Sequence, residues 1–190
     1  MPALTTMSRK TAERPLPTCA PSVIRPPVGL QAFEAVDGKD EDGGAVEPEF
    51  LLIRRSPGRI FPGLWQCVTG GLEPAERVPQ VALREVAEET GFGKDDILAF
   101  YDLDMISSFY DEGPDAIVSG AIFALQVRAA AQPRLSDEHD AFRWAAADEA
   151  RALVVWPSYG ECLDRIRRCL RDPVAARWFE LDLDGRRLLR

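Results

Sequence analysis

Gly70-Gly71-Leu72-Glu73-Pro74-Ala75-Glu76 opens a stretch that runs on through Val78-Pro79 to Arg84-Glu85-Val86-Ala87-Glu88-Glu89-Thr90-Gly91-Phe92. Pro79, at the first helical position, and Gly91, just past the last one, bound a helix of about three turns. Within it Glu85, Glu88 and Glu89 stand at i, i+3 and i+4. At about 100° per residue all three project from one side. Leu83, Val86, Ala87 and Thr90 fall on another side, which is expected to pack on a sheet. Three like charges on adjacent turns repel, each close pair costing a few tenths of a kcal/mol in an isolated helix. Solvent on an acidic face would only screen that repulsion, whereas a bound cation would remove it.

A hard divalent cation such as Mg²⁺, with Mn²⁺ as an alternative, prefers carboxylate oxygens and keeps further positions for water and phosphate oxygens. Arg84, immediately before the first glutamate, is suited to orient a carboxylate through a bidentate hydrogen bond.

Outward from the helix, the apolar run Phe50-Leu51-Leu52-Ile53 reads as a strand. Ser22 to Val36 reads as an earlier strand broken by Pro26 and Pro27, and the polar loop Asp37 to Gly44 makes the pair a long-tipped hairpin. Ser56 to Gly71 is punctuated by Gly and Pro. Ile97 to Tyr110 and Ala116 to Val127 read as two strands around a turn at Asp111 to Pro114, and Phe142 to Trp144 as another. Helical spacing marks Asp148 to Val155 and Tyr159 to Leu170, separated by Trp156-Pro157-Ser158. Strands and helices in this order predict a mixed sheet with helices on its faces.

At 190 residues there is room for one domain. The expected division is a flexible leader at 1–21, the domain proper at 22–172, and an appendage at 173–190 with a short hairpin around Asp184-Gly185. A hydrophobic fraction of 46% excludes a chain disordered throughout. No run approaches the roughly 20 apolar residues of a membrane span, so no membrane association is expected. A net charge of −8 opposes binding to a nucleic-acid polymer and points to a small phosphorylated ligand held by local features or metal ions. Cys19, Cys67, Cys162 and Cys169 form no C-x-x-C pair and no dense disulfide pattern, and the first residues lack the apolar core of a secretory signal. Reduced thiols in a cytoplasmic protein are expected.

From Gly70 to Phe92 the chain matches the Nudix box, G-x5-E-x7-R-E-U-x-E-E-x-G-U with U apolar, at every specified position, and so resembles the Nudix hydrolase family. A chance match anywhere in the chain is on the order of one in ten million at ordinary residue frequencies. The resemblance implies an α/β fold, an α/β/α sandwich around a central mixed β-sheet, with the box beside the active site. It implies that Glu85, Glu88 and Glu89 bind divalent metal with the Gly70 carbonyl nearby, that Arg84 supports them, and that Glu76 bonds within the box. Water then attacks phosphorus with a carboxylate as base, and no covalent enzyme intermediate is required.

Leu64-Trp65-Gln66-Cys67-Val68-Thr69-Gly70 resembles the W-Q-x-V-T-G segment of dihydroneopterin triphosphate pyrophosphohydrolases, and Glu138-His139 with Phe142 and Trp144 resembles their E-H-x-x-Y-x-W segment. By that resemblance Glu138 is a further metal ligand or catalytic carboxylate. Arg54 and Arg55, with Arg59, are candidates for substrate phosphate, and Trp65 and Gln66 for its ring; strand-end charges and core packing are the plainer readings of the same residues. Lone His139 is expected to be a hydrogen-bonding or surface residue rather than a ligand of a hard cation. The implied activity is a Mg²⁺-dependent pyrophosphohydrolase releasing pyrophosphate from a nucleoside triphosphate or dihydroneopterin triphosphate-like substrate. The alternatives are an ADP-ribose or dinucleoside polyphosphate hydrolase and a catalytically silent nucleotide-binding module; the latter usually loses box carboxylates that this chain retains. Family members are frequently dimers, so a homodimer is compatible with the resemblance.

Overall fold

Four consecutive apolar residues, Phe50 to Ile53, are all buried. Side chains alternate between the two faces of a strand, so such a run requires cover on both sides of its sheet. The computed structural model describes residues 18–25, 47–113 and 115–189. Along the chain its elements are β1 (Thr18–Arg25), β2 (Glu49–Arg55), β3 (Trp65–Gln66), β4 (Gly70–Gly71), α1 (Val78–Thr90), β5 (Ile97–Asp111), β6 (Ala116–Val127), β7 (His139–Ala145), α2 (Ala147–Leu153), α3 (Pro157–Arg171), α4 (Pro173–Ala176) and β8 (Glu180–Leu181).

The strands form one sheet in the order β3-β2-β1-β6-β5-β8, with β4 paired to β1 and β7 to β2. β1 runs parallel to β6, from Thr18 opposite Gly120 to Ile24 opposite Gln126, and the other strand pairs are antiparallel. On one face Leu51 and Ile53 meet Val81, Ala82 and Val86 of α1. On the other, Phe50 and Leu52 meet Ala147 and Ala150 of α2 and Cys162, Leu163 and Ile166 of α3. The result is the α/β/α sandwich around a mixed sheet that the motif implied. Truncating any one of these four β2 side chains to alanine is expected to cost about 2–5 kcal/mol, because little around them can collapse into the space.

Several expectations are corrected here. The sheet-facing side of α1 is Val81, Ala82, Val86 and Thr90 with Leu83 at its margin, while Ala87 is exposed. The helix is tilted about its axis relative to the face read from spacing, so Ala87 swings into solvent and Glu89 swings inward. β1 begins at Thr18, inside the segment assigned to the leader, because it pairs with β6 from that residue on. The loop expected at Asp37 to Gly44, and the part of the first strand expected beyond Arg25, lie outside the described residues. At the C-terminal end β8 adds to the edge of β5, and Leu181 bridges Arg187 around a turn in which Gly185 adopts φ 74°. Arg77 Nη1 donates to Asp184 O at 2.9 Å, which fastens this turn to the start of α1. Among the described residues no helix is long and apolar enough to cross a membrane.

Candidate active site

Local chemistry fixes both ends of the 13-residue helix α1. Arg77 N–H points to Gln80 Oε1 at 3.5 Å, and Pro79 occupies the first turn. Gly91 takes φ 73° and donates its N–H to Ala87 O at 2.9 Å. Glycine adopts that conformation without strain, and a Cβ there would also crowd Arg134 Cβ at 3.2 Å. The loop ahead of β7 satisfies the exposed carbonyls of the last turn: Arg134 N–H donates to Thr90 O at 2.7 Å and Ser136 N–H to Glu89 O at 3.2 Å. Those bonds also bring Glu138, two residues further on, alongside the helix.

Arg84 is the hub of the acidic group. Its Nε donates to Glu76 Oε1 at 2.9 Å and its Nη2 to Glu76 Oε2 at 3.1 Å, while Nη2 also reaches Gly71 O at 2.9 Å. Its Nη1 donates to Glu85 Oε1 at 2.7 Å and Glu88 Oε2 at 3.1 Å. Glu76 also accepts the Glu73 N–H at 3.1 Å, and the Arg84 hydrogen bonds hold its carboxyl below the usual range. Glu85 is pushed the other way by burial, against the pull of Arg84. Its carboxylate lies where Gly70 would carry a side chain, since a Cβ on Gly70 would stand 1.8 Å from Glu85 Cδ. Glycine at 70 is what lets the carboxylate rest against β4.

The three helix carboxylates therefore differ. Glu88 is largely exposed, Glu85 is mostly buried, and Glu89 is only 7% exposed, its Oε2 without a hydrogen-bond partner among the described residues. Burial, followed by the nearby charges of Glu85 and Glu138, raises the Glu89 pKa to about 8; the Thr69 backbone and Arg55 oppose the shift. Among the described residues no three acidic, His or Cys side chains converge into a ready cation cage, and Glu85 and Glu88 are both engaged by Arg84 Nη1. The donor set nonetheless fits a divalent cation. Among the described residues this buried carboxylate oxygen has no donor, the charges of two further carboxylates act on it, and all three supply hard oxygen.

Glu138 is partly exposed and only loosely engaged, at 3.5 Å from Arg59 Nη1. Its neighbour Asp140 is committed to Arg54, whose Nε donates at 2.7 Å. Arg54 also lies over the Trp65 ring, 5.7 Å from its centroid, and Trp65 packs partly against the α2–α3 core. Gln66 is buried and points to Thr69 Oγ1 at 3.5 Å. Arg55 donates to Ile60 O at 2.6 Å and acts electrostatically on Glu89 and His139. Trp144 is partly buried, with Arg25 stacked 4.3 Å from its ring centroid.

His139 departs from expectation. It is 4% exposed, and neither ring nitrogen has a hydrogen-bond partner among the described residues. Burial, then the charge of Arg55, lowers its pKa and so disfavours the charged imidazolium. Its place opposite Arg55 in the β2–β7 ladder is what draws it inside.

A family model described as the NUDIX domain matches residues 36–166. The octanoyltransferase of Myxococcus xanthus is 37% identical over 137 residues, which is 71% of this chain and 35% of that protein. The chain thus spans about a third of that relative's length. The nucleoside triphosphatase NudI of Klebsiella pneumoniae is 28% identical over 112 residues, 55% of this chain and 78% of that one. Among solved structures, a Caenorhabditis elegans Ap4A hydrolase in a binary complex superposes with a TM-score of 0.61 at 21% identity, covering 82% of this chain and 97% of its own. The Escherichia coli dihydroneopterin triphosphate pyrophosphohydrolase superposes with a TM-score of 0.55 at 22% identity, covering 80% and 98%. At those identities the likeness establishes the fold.

Proposed function

The chain belongs to the NUDIX domain family, and from that premise we propose that it is a hydrolase that cleaves a nucleoside triphosphate or dihydroneopterin triphosphate-like substrate to the monophosphate and pyrophosphate, with Mg²⁺ as its cation. The observation that carries the reading is the buried Glu89 oxygen, without a hydrogen-bond partner among the described residues and under the charges of Glu85 and Glu138. In this proposal Glu85, Glu88 and Glu89, with the Gly70 carbonyl, would hold the cation, and Glu138 acts beside them as the catalytic carboxylate. When bound, such a cation neutralises phosphate charge and acidifies water. The donor set is all oxygen, which suits a hard ion better than the imidazole nitrogen of His139 would.

The remaining roles fall to residues with stated contacts. Arg84 fixes the angle of Glu85 and Glu88 through one guanidinium anchored on Glu76 and Gly71. Glu138 is the carboxylate free to take up the proton of the attacking water, since among the described residues its side chain is held only by a 3.5 Å contact with Arg59. Arg55, close to Glu89, steadies the phosphate chain. Arg54 is occupied by Asp140 and contributes less.

The test is turnover of purified protein with nucleoside triphosphates, neopterin triphosphate, ADP-ribose and dinucleoside polyphosphates in H₂¹⁸O, with and without Mg²⁺, followed by ³¹P analysis. A monophosphate and pyrophosphate formed only with the cation support the proposal. Faster cleavage of ADP-ribose or a dinucleoside polyphosphate than of any triphosphate overturns the substrate class.

A further inference from the structure

The end of the chain returns to the helix that carries the carboxylates. The stretch from Pro173 on lies past residue 166, where the family match ends. It is nevertheless built into the sheet: Phe100 pairs with Leu181 and Tyr101 with Glu180, and Leu181 is buried in the core on the α1 side. Arg187 Nη2 adds a 2.6 Å bond to Asp102, and its Nη1 a 2.9 Å bond to Trp178 O. A segment fastened by strand pairing and a buried side chain can bear on whatever it touches.

What it touches is the start of α1. Asp182 Oδ1 accepts the N–H groups of Asp184 at 2.9 Å and Arg186 at 2.8 Å, and Asp182 O accepts that of Gly185 at 2.9 Å, which ties 182–186 into a tight turn. Arg77 reaches this turn with both ends of its guanidinium, Nη1 to Asp184 O at 2.9 Å and Nη2 to Gly185 O at 3.5 Å. Gly185 itself lies close against Pro79: a Cβ there would stand 2.6 Å from Pro79 Cβ and 2.9 Å from its Cγ. Neither the rigid proline ring nor the left-handed φ of Gly185 leaves room for a side chain.

Arg77 is also the chain neighbour of Glu76. The Arg77 carbonyl accepts the Gln80 and Val81 N–H groups at 2.8 and 3.2 Å and so begins α1. One residue back, the Glu76 carboxylate sits in the Arg84 fork that continues to Glu85 and Glu88. Adjacent Cα atoms are about 3.8 Å apart, so movement at residue 77 carries residue 76 with it. Among the described residues the other side-chain hydrogen bonds of loop 72–77 stay within the box, from Glu73 N–H to Glu76 and from Arg84 to Glu76. The Arg77 bonds are the ones that leave it.

We propose that the C-terminal turn at 182–186 is a strut for the active site, with Arg77 and Gly185 as positioning residues. Through them the turn sets where loop 72–77 holds Glu76, and through the Arg84 fork it sets the angle at which Glu85 and Glu88 are presented. In this assignment neither residue touches substrate or cation. A small displacement slows a reaction whose groups must be aligned, even when the change lies away from the chemistry. The link from carboxylate angle to turnover rests on the function proposed above, and the link from the turn to the Arg84 fork stands on the contacts alone.

The experiment follows the Arg84 Nε–H signal in ¹⁵N-labelled full-length protein without metal, identified from Arg84→Lys. Arg77→Ala removes both bonds to the turn without cutting into the core, and Gly185→Ala pushes on Pro79. Each is expected to shift the signal and to speed its exchange with water about tenfold. Arg128→Ala loses a comparable 2.8 Å bond to a backbone carbonyl, that of Asp95, and is expected to leave the signal in place. In kinetics Arg77→Ala should lower kcat about tenfold with KM nearly unchanged, and Arg77→Lys, still able to reach one carbonyl, should recover part of the loss. Backbone amide signals of β5 and β6 report that each variant is folded. An unmoved Arg84 signal in Arg77→Ala, an equal response in Arg128→Ala, or a wild-type kcat in Arg77→Ala overturns the strut and leaves the hydrolase standing. A moved signal in a protein that hydrolyses none of the substrates named above keeps the strut and overturns the hydrolase.

Discussion

Arg84 holds Glu76 in a two-point fork, Nε to Oε1 at 2.9 Å and Nη2 to Oε2 at 3.1 Å. Lysine keeps the charge but cannot reproduce the fork or span on to Glu85 and Glu88. Arg84→Lys is therefore expected to lower kcat by about one to two orders of magnitude. It should also lose about 2 kcal/mol of stability, as hydrogen bonds to charged groups are broken in a half-covered site. Steady-state kinetics and urea unfolding check both; a variant as active as wild type would show that Glu76 serves only the loop.

Glu88→Gln and Glu89→Gln should each reduce kcat at least about a hundredfold at saturating Mg²⁺ with the fold intact. Their stabilities should diverge without metal. The carboxyl of Glu89 is raised from 4.5 to about 8, so the folded chain binds its proton more tightly than the unfolded one between those values. Stability then falls as pH rises through that window and levels off above it. Glu89→Gln should flatten the fall and melt roughly 5 °C above wild type near pH 8.5 in EDTA. Melting curves at pH 5.5, 7 and 8.5 decide it, and parallel slopes in the two proteins would contradict the assignment. Added Mg²⁺ should stabilise wild type more at pH 8.5 than at pH 5.5.

Glu138→Gln should cut kcat by about two orders of magnitude while changing KM little, as expected of a group acting mainly in the transition state. Asp140→Asn is the comparison, since Asp140 is held by Arg54 at 2.7 Å. If Asp140→Asn slows turnover more than Glu138→Gln, the proton acceptor has been misassigned.

Gly70→Ala introduces a methyl whose carbon would fall 1.8 Å from Glu85 Cδ, so the carboxylate must leave β4. Activity should drop at least about tenfold, and the apparent Mg²⁺ requirement should rise, because one ligand is displaced. A Mg²⁺ titration of initial rates reads both. Unchanged Mg²⁺ dependence would separate Glu85 from the cation.

The sandwich was legible through the match of Gly70 to Phe92 to the box, whose helix Pro79 and Gly91 punctuate, and Phe50 to Ile53 was legible as a strand. The two-residue strands β3 and β4 carried no signal, being too short for any period to register. Spacing placed Glu85, Glu88 and Glu89 on one side of a helix, yet the helix's tilt against the sheet decided that Glu89 goes inside and Glu88 outside. Arg54 looked available for phosphate, and only the pairing of β2 with β7 reveals Asp140 beside it. Trp156 read as punctuation between helices and Phe61 as part of a turn-rich stretch, yet their rings meet edge to face at 6.0 Å, a contact that no local pattern announces.

The parallel register of β1 against β6 has a consequence for how the molecule comes into being. Thr18 to Ile24 find their partners at Gly120 to Gln126, so the middle of the sheet cannot close until about a hundred residues of intervening chain have left the ribosome. Until then Val23 and Ile24, both destined for full burial, lack the β6 neighbour that the finished sheet gives them. The β2–β7 pairing waits longer still. Assembly is thus late and nearly all at once, and the nascent chain has a prolonged period of exposure in which chaperones have apolar strand to hold.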